Sequence, residues 1–212
     1  NESVFGVFKA IKNLKNYGRG NVNFGAPINV NQFLNEQQPD WRDAIHPTDV
    51  QKPAWLGSQV SKLADEIMVN INSAAAINSV NLLATILLTN DQFALSKVQL
   101  IEQMNFYLRM LSDAPLSEQI TLPEQNAEQL LEHALTLNKF DVLKDQFGDI
   151  IAITEKERTL FNYYRNNVLH LFAVPSVIAQ QLFNNHRITR SECKAQVKRL
   201  YPLFAKEWFL LE

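Results

Sequence analysis

From Ile67 to Asn90 the chain carries no charged side chain, and this run limits the fold more than any other feature. It is long enough to cross a bilayer. Yet Asn70, Asn72, Asn78, Asn81 and Asn90 punctuate it, and an unsatisfied amide in hydrocarbon costs several kcal/mol. Ala74, Ala75 and Ala76 suit helices that pack closely. The run predicts a buried helix or helix pair in a protein interior, with shallow membrane contact as the lesser alternative. A chain of 212 residues, 46% apolar and 20% charged, has enough material for the core that such helices need.

Upstream of the run, Val4, Phe5, Val7, Phe8, Ile11 and Leu14 recur at helical spacing, with Lys9, Lys12 and Lys15 on the other side. This predicts a helix packed on a sheet; the alternative is a basic helix lying on an anionic membrane surface. Asn21-Val22-Asn23-Phe24 alternates polar and apolar as a half-buried strand does, and Gly25 and Pro27 end it. No partner strand follows nearby, so the expected partners precede residue 1. Residues 1–30 therefore read as the last helix and strand of an α/β sheet. Residues 31–58 read as a connection with one short helix at Phe33 and Leu34, punctuated by Pro39, Pro47 and Pro53. Residues 59–212 read as a helical domain.

Three capping boxes are expected to start helices in that domain: Ser96 with Gln99, Thr154 with Glu157, and Thr189 with Glu192. Leu95 and Leu100 add a hydrophobic staple to the first. Phe140 to Leu143 and Asp149 to Ile153 flank a turn containing Gly148, which predicts a β-hairpin near 140–153.

Elimination narrows the chemistry. His46, His133, His170 and His186 are the only histidines, and four residues after them stand Val50, Leu137, Val174 and Arg190. None is an acid that could orient an imidazole. No serine lies in a Gly-x-Ser-x-Gly elbow, and no histidine pair has metal-ligand spacing. Cys193 is the only cysteine, which excludes a disulfide framework and fits a reducing compartment. Glu128 and Glu132 read as a solvated helix face. Gly18-Arg19-Gly20 precedes a strand rather than opening a helix, and Asn23 replaces the third glycine of a dinucleotide fingerprint. No catalytic residue, metal site or cofactor is expected within these residues.

The most distinctive polar pattern is Tyr163, Asn166, Asn167 and His170. At helical spacing they form one stripe on an otherwise apolar segment. The stripe predicts a satisfied hydrogen-bond network that fixes how its helix docks, or a ligand-contacting or interdomain role. Arg165 points away from it and is free to hold a carboxylate or phosphate from another segment.

Residues 96–153, helices followed by a hairpin, match the outline of a winged-helix module. Lys97, Arg109, Lys139 and Lys144 are outnumbered there by Glu102, Asp113, Glu118, Glu124, Glu128, Glu132, Asp141, Asp145 and Asp149. A phosphate backbone would be repelled, and the net charge of −2 gives no footprint for nucleic acid elsewhere. The alternative to an enzyme portion is thus a free-standing, winged-helix-like protein-interaction module.

Gly20-Asn21-Val22-Asn23-Phe24-Gly25-Ala26-Pro27-Ile28 resembles the strand that follows the catalytic motifs of bacterial glycerol-3-phosphate acyltransferases. Asn72-Ser73-Ala74-Ala75-Ala76-Ile77-Asn78, Asn138-Lys139-Phe140 and Tyr163-Tyr164-Arg165-Asn166-Asn167 are similar to segments of the same family, in the same order and spacing. The resemblance covers essentially the whole chain; one departure is Ala26, where the family usually has glutamate. It implies a mainly α (α+β) C-terminal portion: the end of an α/β acyltransferase sheet followed by a helical region with a β-hairpin. It also implies a parent that transfers a fatty acyl group from acyl-ACP or acyl-CoA to glycerol 3-phosphate, giving lysophosphatidate for phospholipid synthesis. The family's His-x4-Asp pair and its Gly- and Arg-rich phosphate motif lie N-terminal to the Gly-Asn-Val-Asn-Phe-Gly strand, so no catalytic or substrate-binding position carries over. The implied partners are the upstream catalytic domain, those substrates and a membrane surface. The implied place is peripheral, on the cytoplasmic face of the bacterial inner membrane.

Overall fold

The computed structural model describes residues 20–43, 45, 48, 52–185 and 187–211. They form a mainly helical unit with a small antiparallel sheet. The helix expected at residues 4–14 lies outside the described residues, as do His46 and His186.

The charge-free run folds as a helix pair. Helix α1 (Val30–Gln37) leads to α2 (Leu56–Ser73), and α3 (Ser79–Leu88) comes after a short turn. Helix α3 is apolar all round and lies in the middle of the core, as such a helix must. Leu82, Leu83, Ile86 and Leu87 are fully buried, each contributing about 1.5–3 kcal/mol relative to exposure. Its start is fixed by a reciprocal box: Asn78 caps the Asn81 N–H, and the Asn81 side chain accepts from the Asn78 N–H at 2.8 Å. No helix among the described residues is long and apolar enough to cross a membrane.

After α3 come β1 (Ala94–Ser96), α4 (Lys97–Asp113), α5 (Ala127–Thr136), β2 (Asp141–Leu143) and β3 (Ile150–Ala152). The expected hairpin is present, with Val142 opposite Ile151, and β1 completes a sheet of order β1-β3-β2. Helix, strand, two helices and a hairpin in this order make a winged-helix outline, which begins earlier than residue 96 because α3 and β1 belong to it. Strand β1 pairs with β3 antiparallel, Leu95 opposite Ile151. Three residues between a turn and a helix give too little alternation to announce that strand.

A 3-10 turn (Glu155–Glu157) then enters α6 (Arg158–Asn166), which packs along α3. Phe161 is fully buried, its ring 4.7 Å from Phe140 and 6.0 Å from Tyr164. A second 3-10 turn (Leu169–Phe172) leads into α7 (Ala173–Asn184) and α8 (Arg190–Trp208), which carries Pro202 in its interior.

Asn21 to Phe24 joins no sheet among the described residues, and Val22 and Phe24 are 79% and 89% exposed; the strands expected to pair with this segment precede residue 1. Two expectations need correction. At Thr154 no capping box forms: the Glu157 N–H reaches the Thr154 carbonyl instead, closing the 3-10 turn. The Ser96 box is half made, because the hydroxyl accepts from the Gln99 N–H while Gln99 Oε1 bonds that hydroxyl rather than the backbone. Only the Thr189–Glu192 box is complete, with Thr189 N–H to Glu192 Oε2 at 2.8 Å. Two further boxes, Asn78 with Asn81 and Asn126 with Gln129, use asparagine caps in place of hydroxyls.

Candidate functional site: an asparagine-lined cleft

The turn between α2 and α3 is the hub of the molecule. The Ala74 and Ala75 N–H groups close the end of α2, and the carbonyls and N–H groups left over find partners from other parts of the chain. The Asn72 side chain donates to the Trp208 carbonyl at 2.6 Å, tying the turn to the end of α8. The Asn72 carbonyl accepts from His170 Nε2 at 2.9 Å. The Ala74 carbonyl accepts from Asn23 Nδ2 at 2.8 Å, and the same amide reaches Thr121 Oγ1 at 3.0 Å. Ala75 and Ile77 exchange backbone bonds with Thr121, and the Ala76 carbonyl accepts from Asn81 Nδ2 at 2.9 Å. Asn23, Thr121 and Asn81 thus bond the backbone of the three alanines from three separate segments.

Gly25 lies against this hub. A β-carbon there would stand 2.8 Å from the Asn70 carbonyl oxygen, a backbone atom that cannot swing away. Asn70 Nδ2 in turn donates to the Ala26 carbonyl at 3.2 Å. The glycine thus permits the entering chain to lie directly on α2.

Between the entering segment, the hub and the end of α6 opens a cleft of about 590 Å³. Its walls combine Asn21 and Asn23 of the entering segment, Asn72 and Asn78 of the hub, Asn81 of α3, and Asn166 and Asn167 after α6. Met68 and Ile71 of α2 and the three alanines supply the apolar remainder. No lining residue is ionisable. The cleft can donate and accept hydrogen bonds; it holds no acid, base or nucleophile for covalent chemistry. Among the described residues no group of His, Cys, Asp and Glu could hold a metal.

The polar stripe is divided by its backbone. Helix α6 ends at Asn166, and the 3-10 turn from Leu169 rotates the residues beyond it. Asn166 and Asn167 reach the cleft, Tyr163 is 65% exposed, and His170 turns inward to 4% exposure. Helical spacing could not show this, because the break in the helix comes from tertiary packing. Burial holds the His170 imidazole below its ordinary pKa, and the bond to the Asn72 carbonyl opposes that shift. The bond requires the proton on Nε2, the donor. Arg165 is half-buried, and its Nε has no hydrogen-bond partner among the described residues.

A second cleft, of about 550 Å³, holds a pair that spacing could not reveal. Ser79 Oγ and His133 Nδ1 lie 3.0 Å apart across 54 positions of sequence. Ser79 is 3% exposed at the first turn of α3, and among the described residues no carboxylate bonds the imidazole. The pair ties α3 to α5 and lacks both the access and the third member of a catalytic triad. Nor does a His-x4-Asp pair exist: five residues after the four histidines stand Gln51, Asn138, Pro175 and Ser191.

Three of the four segments whose motifs carry the resemblance meet here: residues 20–28, 72–78 and 163–167 contribute to the asparagine-lined cleft, and Asn138 to Phe140 do not line it. The family model described as glycerol-3-phosphate acyltransferase C-terminal region matches residues 1–212. A glycerol-3-phosphate acyltransferase of Pseudoalteromonas translucida is 66% identical over 211 residues, covering 100% of this chain and 26% of that protein. The protein of the same name from Colwellia psychrerythraea is 45% identical over the same length and share. The chain spans about a quarter of the length of the curated relatives it matches.

Proposed function

Because the chain belongs to the family of glycerol-3-phosphate acyltransferase C-terminal regions, we propose that it serves such an enzyme as its noncatalytic supporting part. The parent transfers a fatty acyl group from acyl-ACP or acyl-CoA to the 1-hydroxyl of glycerol 3-phosphate, and the product is lysophosphatidate for phospholipid synthesis. The observation that carries this reading is the cleft itself. Three of the family's recurring segments converge on a site built of amides and alanines, which can bind and position but carries no base to activate an alcohol. The proton-transfer pair and the phosphate-binding motif belong to the upstream catalytic domain, which this region buttresses. The free-standing interaction module is the weaker reading, since the relatives carry this sequence within a protein about four times longer.

A peripheral place on the cytoplasmic face of the bacterial inner membrane completes the proposal. Acyl chains gain about 0.8 kcal/mol for each buried methylene, so an enzyme that makes lysophosphatidate works best where its product can enter lipid. Flotation of the full-length protein with anionic vesicles tests this part; recovery only in the dense fraction would refute it.

The main test compares the full-length enzyme with a version ended after Ile28, using labelled glycerol 3-phosphate and palmitoyl-CoA. Loss of turnover or of folding is expected. Unchanged turnover overturns the supporting role.

A further inference from the structure

Helix α2 carries an outward face that nothing in the described structure covers. Val60, Ala64, Ile67 and Ile71 follow the i, i+4, i+7, i+11 spacing of one helical face, and Met68 borders it. Val60 and Ile71 are each 57% exposed, Ile67 43% and Met68 37%. The charges of the helix, Lys62, Asp65 and Glu66, fall at positions off this line. Helix α1 is attached elsewhere on α2, through Lys62 Nζ to Gln37 Oε1 at 2.9 Å. The face runs toward the asparagine-lined cleft, whose wall includes Met68 and Ile71. The entering segment adds Val22 and Phe24, the most exposed apolar side chains near it.

We infer that this face, with the rim of the cleft beside it, seats the catalytic domain that stands N-terminal to this region in the parent enzyme. The inference rests on reading the chain as the C-terminal portion of a longer acyltransferase and specifies which surface joins the two. Two observations select this occupant. The chain enters the described structure on α2 itself, with Gly25 pressed on Asn70, so the described segment nearest the upstream domain lies beside the face. The family is a C-terminal region and fills only 26% of its relatives, so a large body of polypeptide stands on that side. A lipid surface fits less well. Only Lys62 accompanies Asp65 and Glu66 on the helix, which leaves no attraction for anionic headgroups. An aliphatic face without charge beside a wall of amides is instead what a protein interface offers: an apolar centre with a hydrogen-bonding rim.

The test uses full-length enzyme carrying one added cysteine, at Val60, Ile71 or, as control, Val98, which is 67% exposed on α4. Cys193→Ser provides the background in this region, and maleimide labelling is tracked site by site by mass spectrometry. These positions are exposed within the region, so Val60→Cys and Ile71→Cys leave its fold intact. Labelling at 60 and 71 is expected to run at least tenfold slower than at 98, unchanged on dilution of the enzyme and without vesicles. Rates equal to position 98 overturn the inference. So does protection that vanishes on dilution, which assigns the face to a second copy, or that appears only with vesicles, which assigns it to lipid. The truncation after Ile28 separates the two readings. Rapid labelling with turnover still lost on truncation removes this seat and leaves the supporting role. Protection with turnover unchanged does the reverse.

Discussion

Replacing Asn81 tests whether the hub is held by its amides. The side chain is 4% exposed and makes two bonds: Nδ2 donates to the Ala76 carbonyl at 2.9 Å, and Oδ1 accepts from the Asn78 N–H at 2.8 Å. Each bond contributes about 0.5–1.5 kcal/mol net, and leaving either partner unpaired in a buried site costs about 1–3 kcal/mol. Asn81→Ala should therefore cost about 2–3 kcal/mol. For a chain of this size that lowers Tm by about 4–12 °C. Asn81→Asp is the sharper probe. Its carboxylate still accepts from Asn78 but sets an oxygen against the Ala76 carbonyl, whereas the protonated acid can donate there. The folded state then raises this pKa above the unfolded value of about 3.9. Stability is full below that value and is lost as pH rises through the folded pKa, so the deficit against wild type shrinks toward pH 4. Urea denaturation monitored by far-ultraviolet circular dichroism at pH 4, 5.5 and 7 reads both effects. A deficit below about 0.5 kcal/mol for Asn81→Ala, or one for Asn81→Asp that ignores pH, refutes the reasoning.

Three further outcomes are expected. Gly25→Ala places a methyl against the Asn70 carbonyl and should cost about 1–3 kcal/mol or release the entering segment, seen as faster hydrogen exchange over residues 20–28. Phe161→Ala, which empties a fully buried site between Phe140 and Tyr164, should cost about 3–5 kcal/mol in the same urea assay. His170 must be neutral to stay buried, so its folded pKa lies below the unfolded value of about 6.5. The unfolded chain then binds the proton first, and wild type loses stability as pH falls from 6.5 toward the folded pKa; His170→Gln, which keeps a donor for Asn72, should flatten that part of the profile.

Much of the fold could be read from one line of residues. The charge-free run with its asparagines pointed to a buried helix, and α3 is that helix, whereas the part of the run on α2 leaves Ile67, Met68 and Ile71 partly exposed. The hairpin was legible in the alternation on both sides of Gly148, and the cap at Thr189 in a hydroxyl three residues before Glu192. Local chemistry sufficed there, since each partner stands within a turn of the other. The absence of a catalytic pair was legible for the same reason: the spacing of His-x4-Asp is a local property, and no histidine meets it.

What sequence order could not decide was which distant polar groups would share a partner. The amides of Asn23 and Asn81 reach one turn from different elements, the Asn72 amide reaches from beside it to Trp208, and Ser79 meets His133 only because α3 packs on α5. Nor could periodicity foresee that α6 stops at Asn166, sending two asparagines into the cleft and His170 into the core. Burial is settled by the whole set of contacts at once, whereas a helical pattern records only the next few neighbours. The residues therefore determined the helices, the hairpin and the lack of a His-x4-Asp spacing, and the packing of those elements determined the cleft.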